Sequence, residues 1–191
     1  SFEEGNNYSI GLHPWHIDTN WPTQFQMLTK YSTQKNVLAI GEAGLDKICK
    51  TDGALQQTVF IKQLQLANEL NRPVIIHCVK AWDEVLHTLK NEKITVPVIF
   101  HGFAKNKLLA KRITDAGYYL SFGKALQKDT MQQVLTTVPL SQLFLETDDA
   151  NISIALVYKY AAAALSIEMD LLSLQLQKNT STVFGNTFNR L

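Results

Sequence analysis

Short apolar runs rich in β-branched residues alternate along this chain with longer stretches whose apolar positions recur every three or four residues. The runs at Tyr8 to Leu12, Val37 to Ile40, Val74 to His77, Val96 to His101, Tyr118 to Phe122 and Leu143 to Thr147 predict strands. They are apolar at successive positions rather than alternating, the pattern of parallel strands buried on both faces. Helices are predicted over Trp21 to Ser32, Ala54 to Asn71, Ala81 to Glu92, Lys105 to Ala116 and around Thr130 to Thr137, with two more between Ser153 and Phe184. In the second of these, Leu55, Val59, Phe60, Leu64, Ala67 and Leu70 fall on one helical face. Asn20 or Thr19 is the cap expected for the first helix, with Pro22 in its first turn, and Gly117 stops the fourth.

Strand and helix in strict alternation define an α/β fold of (β/α) units, and the spacing narrows it to a TIM-like barrel. From His13 to Glu42 is 29 residues, from Glu42 to His77 is 35, and from His77 to His101 is 24. A barrel unit averages about 31 residues if roughly 250 make eight. Six strands therefore use nearly all of the 191 residues, so the barrel is incomplete. One unit back from His13 falls before Ser1, so the first strand is missing from this sequence. No repeat, low-complexity stretch or linker interrupts residues 1–191, which read as a single domain.

Composition changes this picture little. With 18 Lys and Arg against 17 Asp and Glu, the net charge of +1 provides no field for non-specific nucleic-acid capture. Apolar runs all fall short of the roughly 20 residues of a membrane helix, and no signal peptide is legible. The chain opens on Ser1 rather than Met, which leaves a preceding segment open. Two cysteines, Cys49 and Cys78, are too few for a disulfide framework; both are expected to be reduced, in a cytoplasmic protein. Nothing calls for an obligate protein partner.

The chemistry lies where the apolar runs stop: Glu42, His77, His101 and Asp148 each stand at such an end. A parallel barrel gathers strand ends on one face, where remote residues can share a cation. Each residue alone has a plainer reading. Glu42 could pair with Lys47 or a helix N-terminus, either histidine could be hydrogen-bonded in a core, and Asp148 could sit in a solvated cap before Ser153. Together they favour a metal site. Imidazole with carboxylate suits zinc, manganese or iron, or magnesium where carboxylates and water dominate. Glu146 would line the pocket, while Asp149 reads as surface or capping. His13 faces the same mouth as a candidate substrate contact. Trp15 either walls the pocket, stacks on a base or is core, and His16 reads as surface. Lys80 is placed to meet a phosphate oxygen or is simply solvated. His77 and Cys78 point to opposite faces as strand neighbours, which excludes a Cys/His nucleophile pair. Glycine-rich phosphate loops, nucleophile elbows, zinc-finger spacings and dinucleotide fingerprints are absent.

In order, Gly11-Leu12-His13-Pro14, Gly41-Glu42-Ala43-Gly44-Leu45-Asp46, Ile75-Ile76-His77, His101-Gly102-Phe103 and Glu146-Thr147-Asp148 resemble the motifs of the TatD family of metal-dependent deoxyribonucleases. The likeness runs from about residue 9 to the end, where Asn179 and Phe184 suit the family's closing helix. It implies a distorted (β/α) barrel, two divalent metals (magnesium, manganese or zinc) and phosphodiester hydrolysis at DNA ends, often as a 3′-end exonuclease. By the resemblance, Glu42 would bridge the metals, and His77 and His101 would hold one of them. Asp148 would bind the other and orient the nucleophilic water. Glu42 and Asp148 would thus be the catalytic carboxylates, and His13 and Glu146 would line the substrate phosphate of a DNA or nucleotide. Two departures stand out. The family's H-x-H pair on its first strand is absent, so a segment carrying it is expected before Ser1. Cys78-Val79 replaces a frequent Thr-Arg, leaving Lys80 one position along as the substitute. Two rival readings use the same pocket: a non-catalytic barrel that binds metal, nucleotide or a partner, and a small-molecule amidohydrolase.

Overall fold

A computed structural model describes residue 3 and residues 5–185. The chain forms two compact units that divide between Val98 and Ile99. Among the described residues no helix is long and apolar enough to cross a membrane.

In the first unit three parallel strands follow chain order: β1 (Tyr8–Ile10), β2 (Val37–Asp46) and β3 (Val74–Val79). Helices α1 (Trp21–Ser32), α2 (Gly53–Leu70) and α3 (Trp82–Asn91) follow them one by one. Helix α1 starts at the expected Asn20, whose side chain makes no capping bond. Asp52 caps α2 by accepting from Leu55 N–H at 2.9 Å, and Asn71 ends it in the left-handed region at φ 50°. Val59, Phe60 and Leu64 of α2 are fully buried, as are Val37, Ile40 and Ala43 of β2 and Val74 and Ile76 of β3. These residues are the unit's core, and burial of this kind is worth about 1.5–3 kcal/mol per large aliphatic or aromatic side chain.

Strand β2 differs from expectation. The apolar run ends at Ile40, yet the strand continues through Gly41, Glu42 and Gly44 to Asp46, although Glu and Gly are poor β formers. Pairing with β3 overrides that propensity, Ala43 to Asp46 lying in register with Ile76 to Val79. Ile40 N–H donates to Pro73 O at 2.9 Å and Lys47 N–H to Val79 O at 3.0 Å. The register shifts between Ile40 and Ala43, so Gly41 and Glu42 form a bulge, a device that re-aims side chains beside functional sites. Gly44 (φ 153°) lies so close to β3 that a Cβ there would collide with the His77 carbonyl oxygen.

In the second unit β4 (Val98–Phe100), which begins at the last residue of the first unit, β5 (Tyr119–Phe122) and β6 (Leu143–Leu145) are parallel neighbours in chain order. Helices α4 (Lys107–Asp115), α5 (Asp129–Leu135), α6 (Ile154–Leu165) and α7 (Met169–Phe184) complete it. Strands β4 and β6 stop before His101 and Glu146, shorter than their apolar runs suggest. Phe100, Phe103, Leu120, Phe122, Leu126 and Leu143 are buried, with the Phe103 and Phe122 rings 5.5 Å apart. Asn179 of α7 is 3 % exposed and donates through Nδ2 to Leu140 O (2.7 Å) and Leu143 O (2.8 Å), tying the helix to the start of β6. Ser153, not Asp149, caps α6. The parallel (β/α) repeat of a TIM-like α/β barrel is thus present in both units. Six strands occur among the described residues, against the eight of a full barrel.

Candidate metal centre

Three of the expected residues meet in the first unit. Glu42 sits on the β2 bulge, His77 on β3, and His13 just beyond β1, where the chain turns into a 3-10 turn at Pro14 to His16. The Glu42 carboxylate oxygen Oε2 faces His13 Nε2 at 3.5 Å and His77 Nδ1 at 3.7 Å. Taking one ligand atom from each residue, all three atoms lie within 4.8 Å of one another. Ligand bonds of about 2.0–2.2 Å put neighbouring donors about 3–3.5 Å apart around a cation, and the Glu42–His77 pair at 3.7 Å comes close to that spacing. The Lys47 pairing considered for Glu42 is not made. Lys47 Nζ donates instead to Glu84, whose carboxyl the hydrogen bond from Lys47 lowers below its ordinary value.

The histidines differ in what they offer. Trp15 N–H donates to His13 Nδ1 at 3.2 Å, so that nitrogen carries a lone pair and the ring proton sits on Nε2, the nitrogen facing Glu42. His13 is therefore arranged to donate a hydrogen bond, in keeping with a substrate contact. His77 is the reverse: Nε2 meets Asp46 Oδ2 at 3.2 Å, which leaves Nδ1 on the Glu42 side. The approach to His13 is held by Gln63, 0 % exposed on α2, which accepts from Leu12 N–H (2.6 Å) and donates to Leu12 O (3.1 Å).

Asp46 is the residue that reading the sequence missed. It is 1 % exposed, and Oδ2 also accepts from Trp15 Nε1–H at 2.7 Å while Oδ1 accepts from Ile48 N–H at 2.9 Å. Burial pushes its carboxyl up, but the hydrogen bonds from Trp15, Ile48 N–H and His77 outweigh this and hold it below the ordinary carboxylate value. Trp15 is neither core nor loose surface. It is 60 % exposed, with its ring edge-on to His13 (4.9 Å) and its indole N–H tied to Asp46. His16 is exposed, as expected. Lys80 leaves β3 in the left-handed region at φ 54° with its side chain exposed.

In the second unit His101 Nδ1 faces Glu146 Oε1 at 3.7 Å. Glu146 also accepts from Gly102 N–H (Oε1, 2.6 Å) and from the Ser121 hydroxyl (Oε2), and its own N–H donates to Phe122 O at 3.0 Å. This carboxylate is a junction between the exits of β4, β5 and β6, a structural duty beyond the expected pocket lining. Glu146, Asp148, Gly123 and Lys124 line a cavity of about 130 Å³. Asp148 is exposed at φ 50°, a left-handed conformation that Asp tolerates better than most residues.

The sequence profile of the family described as TatD related DNase matches residues 2–185. The chain is 32 % identical over 146 residues to the uncharacterized metal-dependent hydrolase YcfH of Escherichia coli K12, covering 74 % of this chain and 54 % of that protein. To the uncharacterized metal-dependent hydrolase YabD of Bacillus subtilis it is 32 % identical over 145 residues, covering 73 % and 57 %. The chain thus spans little more than half the length of these relatives. A crystal structure of YJJV, a TatD homologue from Escherichia coli K12, superposes with a TM-score of 0.83 at 26 % identity, covering 93 % of this chain and 76 % of that one. A TatD-family hydrolase structure from Entamoeba histolytica, at 16 % identity and a TM-score of 0.81, shares the fold. Parallel (β/α) units, the ordered motifs from His13 to Asp148 and the profile match together show that the chain belongs to the TatD-related DNase family.

Proposed function

We propose that this chain is the cation-binding part of a metal-dependent phosphodiesterase, a deoxyribonuclease acting on DNA ends. The carrying observation is the Glu42 carboxylate facing His77 Nδ1 at 3.7 Å and His13 Nε2 at 3.5 Å. Glu42 and His77 are the residues of this cluster that hold the cation. On the ordered motifs and family membership, His101 and Asp148 are assigned to cation binding as well, with Asp148 orienting the attacking water. A bound divalent ion (magnesium, manganese or zinc) polarises the phosphodiester and lowers the pKa of a water molecule. His13, with its proton on Nε2, donates to a phosphate oxygen, and Glu146 and Lys80 complete the substrate contacts. The low cysteine count supports a cytoplasmic setting.

Hydrolysis of an end-labelled single-stranded oligonucleotide with Mg²⁺ or Mn²⁺ tests this reading. Glu42→Gln keeps the size of the side chain and removes its charge, and is expected to reduce cleavage to the metal-free background. Equal rates in both proteins would remove Glu42 from the mechanism.

A further inference from the structure

We propose that Asp46 is a positioning residue, which locks His77 in the tautomer that presents Nδ1 to a cation. The proposal rests on the reading of Glu42 and His77 as cation ligands. Asp46 is held from every side. Its side chain takes Trp15 Nε1–H and Ile48 N–H at 2.7 and 2.9 Å. Its backbone is clamped by Gln56, which accepts from Asp46 N–H at 2.8 Å and donates to Asp46 O at 3.1 Å. Gln56 is itself 3 % exposed.

The proton inventory then decides the tautomer. Indole N–H only donates, so Oδ2 is an acceptor towards Trp15, and an ionised carboxylate offers no proton of its own. The contact of 3.2 Å between Oδ2 and His77 Nε2 is a hydrogen bond only if Nε2 carries the proton. In the neutral ring the lone pair is then on Nδ1, which faces Glu42 Oε2. A carboxylate on the far nitrogen also makes the ligating one more basic, and losing such a partner typically weakens metal affinity by about 10–100-fold.

The rival arrangement is an imidazolium held between the Glu42 and Asp46 carboxylates, with protons on both nitrogens. Two measurements separate it from ours. In metal-free protein uniformly labelled with ¹⁵N, at about pH 8 and so above the ordinary histidine range, long-range ¹H–¹⁵N correlations report the tautomer of His77, assigned by its loss in His77→Gln. A neutral ring protonated on Nε2 is expected. In parallel, Mn²⁺ binding is followed by electron paramagnetic resonance in wild type, Asp46→Asn and Trp15→Phe. Asp46→Asn is expected to shift the tautomer towards Nδ1–H and weaken Mn²⁺ binding by about 10–100-fold. Trp15→Phe, which spares the carboxylate, is expected to keep the wild-type tautomer.

An imidazolium or an Nδ1–H ring in the wild type would overturn the proposal, whether or not any variant folds. So would an Asp46→Asn protein with unchanged tautomer and unchanged Mn²⁺ affinity. A wild type that shows the Nε2–H ring but binds no Mn²⁺ would instead strike at the proposed cation site, while the tautomer still decides what Asp46 does.

Discussion

Gln63 shows how much a single buried amide can govern here. It answers both backbone groups of Leu12, the residue before His13, from a helix 51 positions away in sequence. Gln63→Leu would leave the half-buried N–H and C=O of Leu12 unanswered, at an expected cost of about 1 kcal/mol in denaturant unfolding. On the sequence Gln63 is only a polar letter on a mostly apolar helix face, and nothing local says it is buried. Glu42, His77 and His13 were legible because each follows an apolar run. Asp46 was not, because its partners Trp15 and His77 lie 31 residues away on either side.

Among the elements, β2 carries most of the information about the first unit. Its first four residues are readable as a strand and its last six are not, because pairing with β3, which runs on from Ala43 to Asp46, overrides the local preference of Glu and Gly. Close approach of β2 to β3 makes Gly44→Ala a sharp test. The new methyl group would meet the His77 carbonyl in backbone that also disfavours side chains, with an expected loss of about 1–3 kcal/mol. Gly53→Ala, in open space at the start of α2, is the control and is expected to change stability by less than about 1 kcal/mol. Midpoints of urea unfolding for the two variants would settle the contrast. In the second unit the predicted helix ends agree with the structure to within one or two residues, whereas the apolar runs at β4 and β6 outlast the strands. An apolar residue that leaves a strand for a buried loop looks the same in sequence as one that stays.

For the molecule as a whole, alternation and interval predicted the (β/α) architecture because both follow from backbone periodicity, which every residue reports. Side-chain ionisation is a second property of the whole. Burial holds the phenols of Tyr118 and Tyr158 above the ordinary tyrosine value of about 10. The unfolded chain loses those protons first, so the folded state binds more protons as pH rises past about 10, and stability falls there. An ultraviolet titration is therefore expected to show a late-ionising component from Tyr118 and Tyr158 that disappears on unfolding. Replacing both by Phe should soften the alkaline limb of stability.

The pinned indole of Trp15 turns the molecule into its own optical gauge. Its N–H rests on Asp46, and the imidazoles of His13 and His77 lie edge-on at 4.9 and 5.9 Å. With Trp21 and Trp82 replaced by Phe, the remaining emission should brighten or dim with Mn²⁺ concentration and stay flat in Glu42→Gln, so that occupancy can be followed by light without label or substrate.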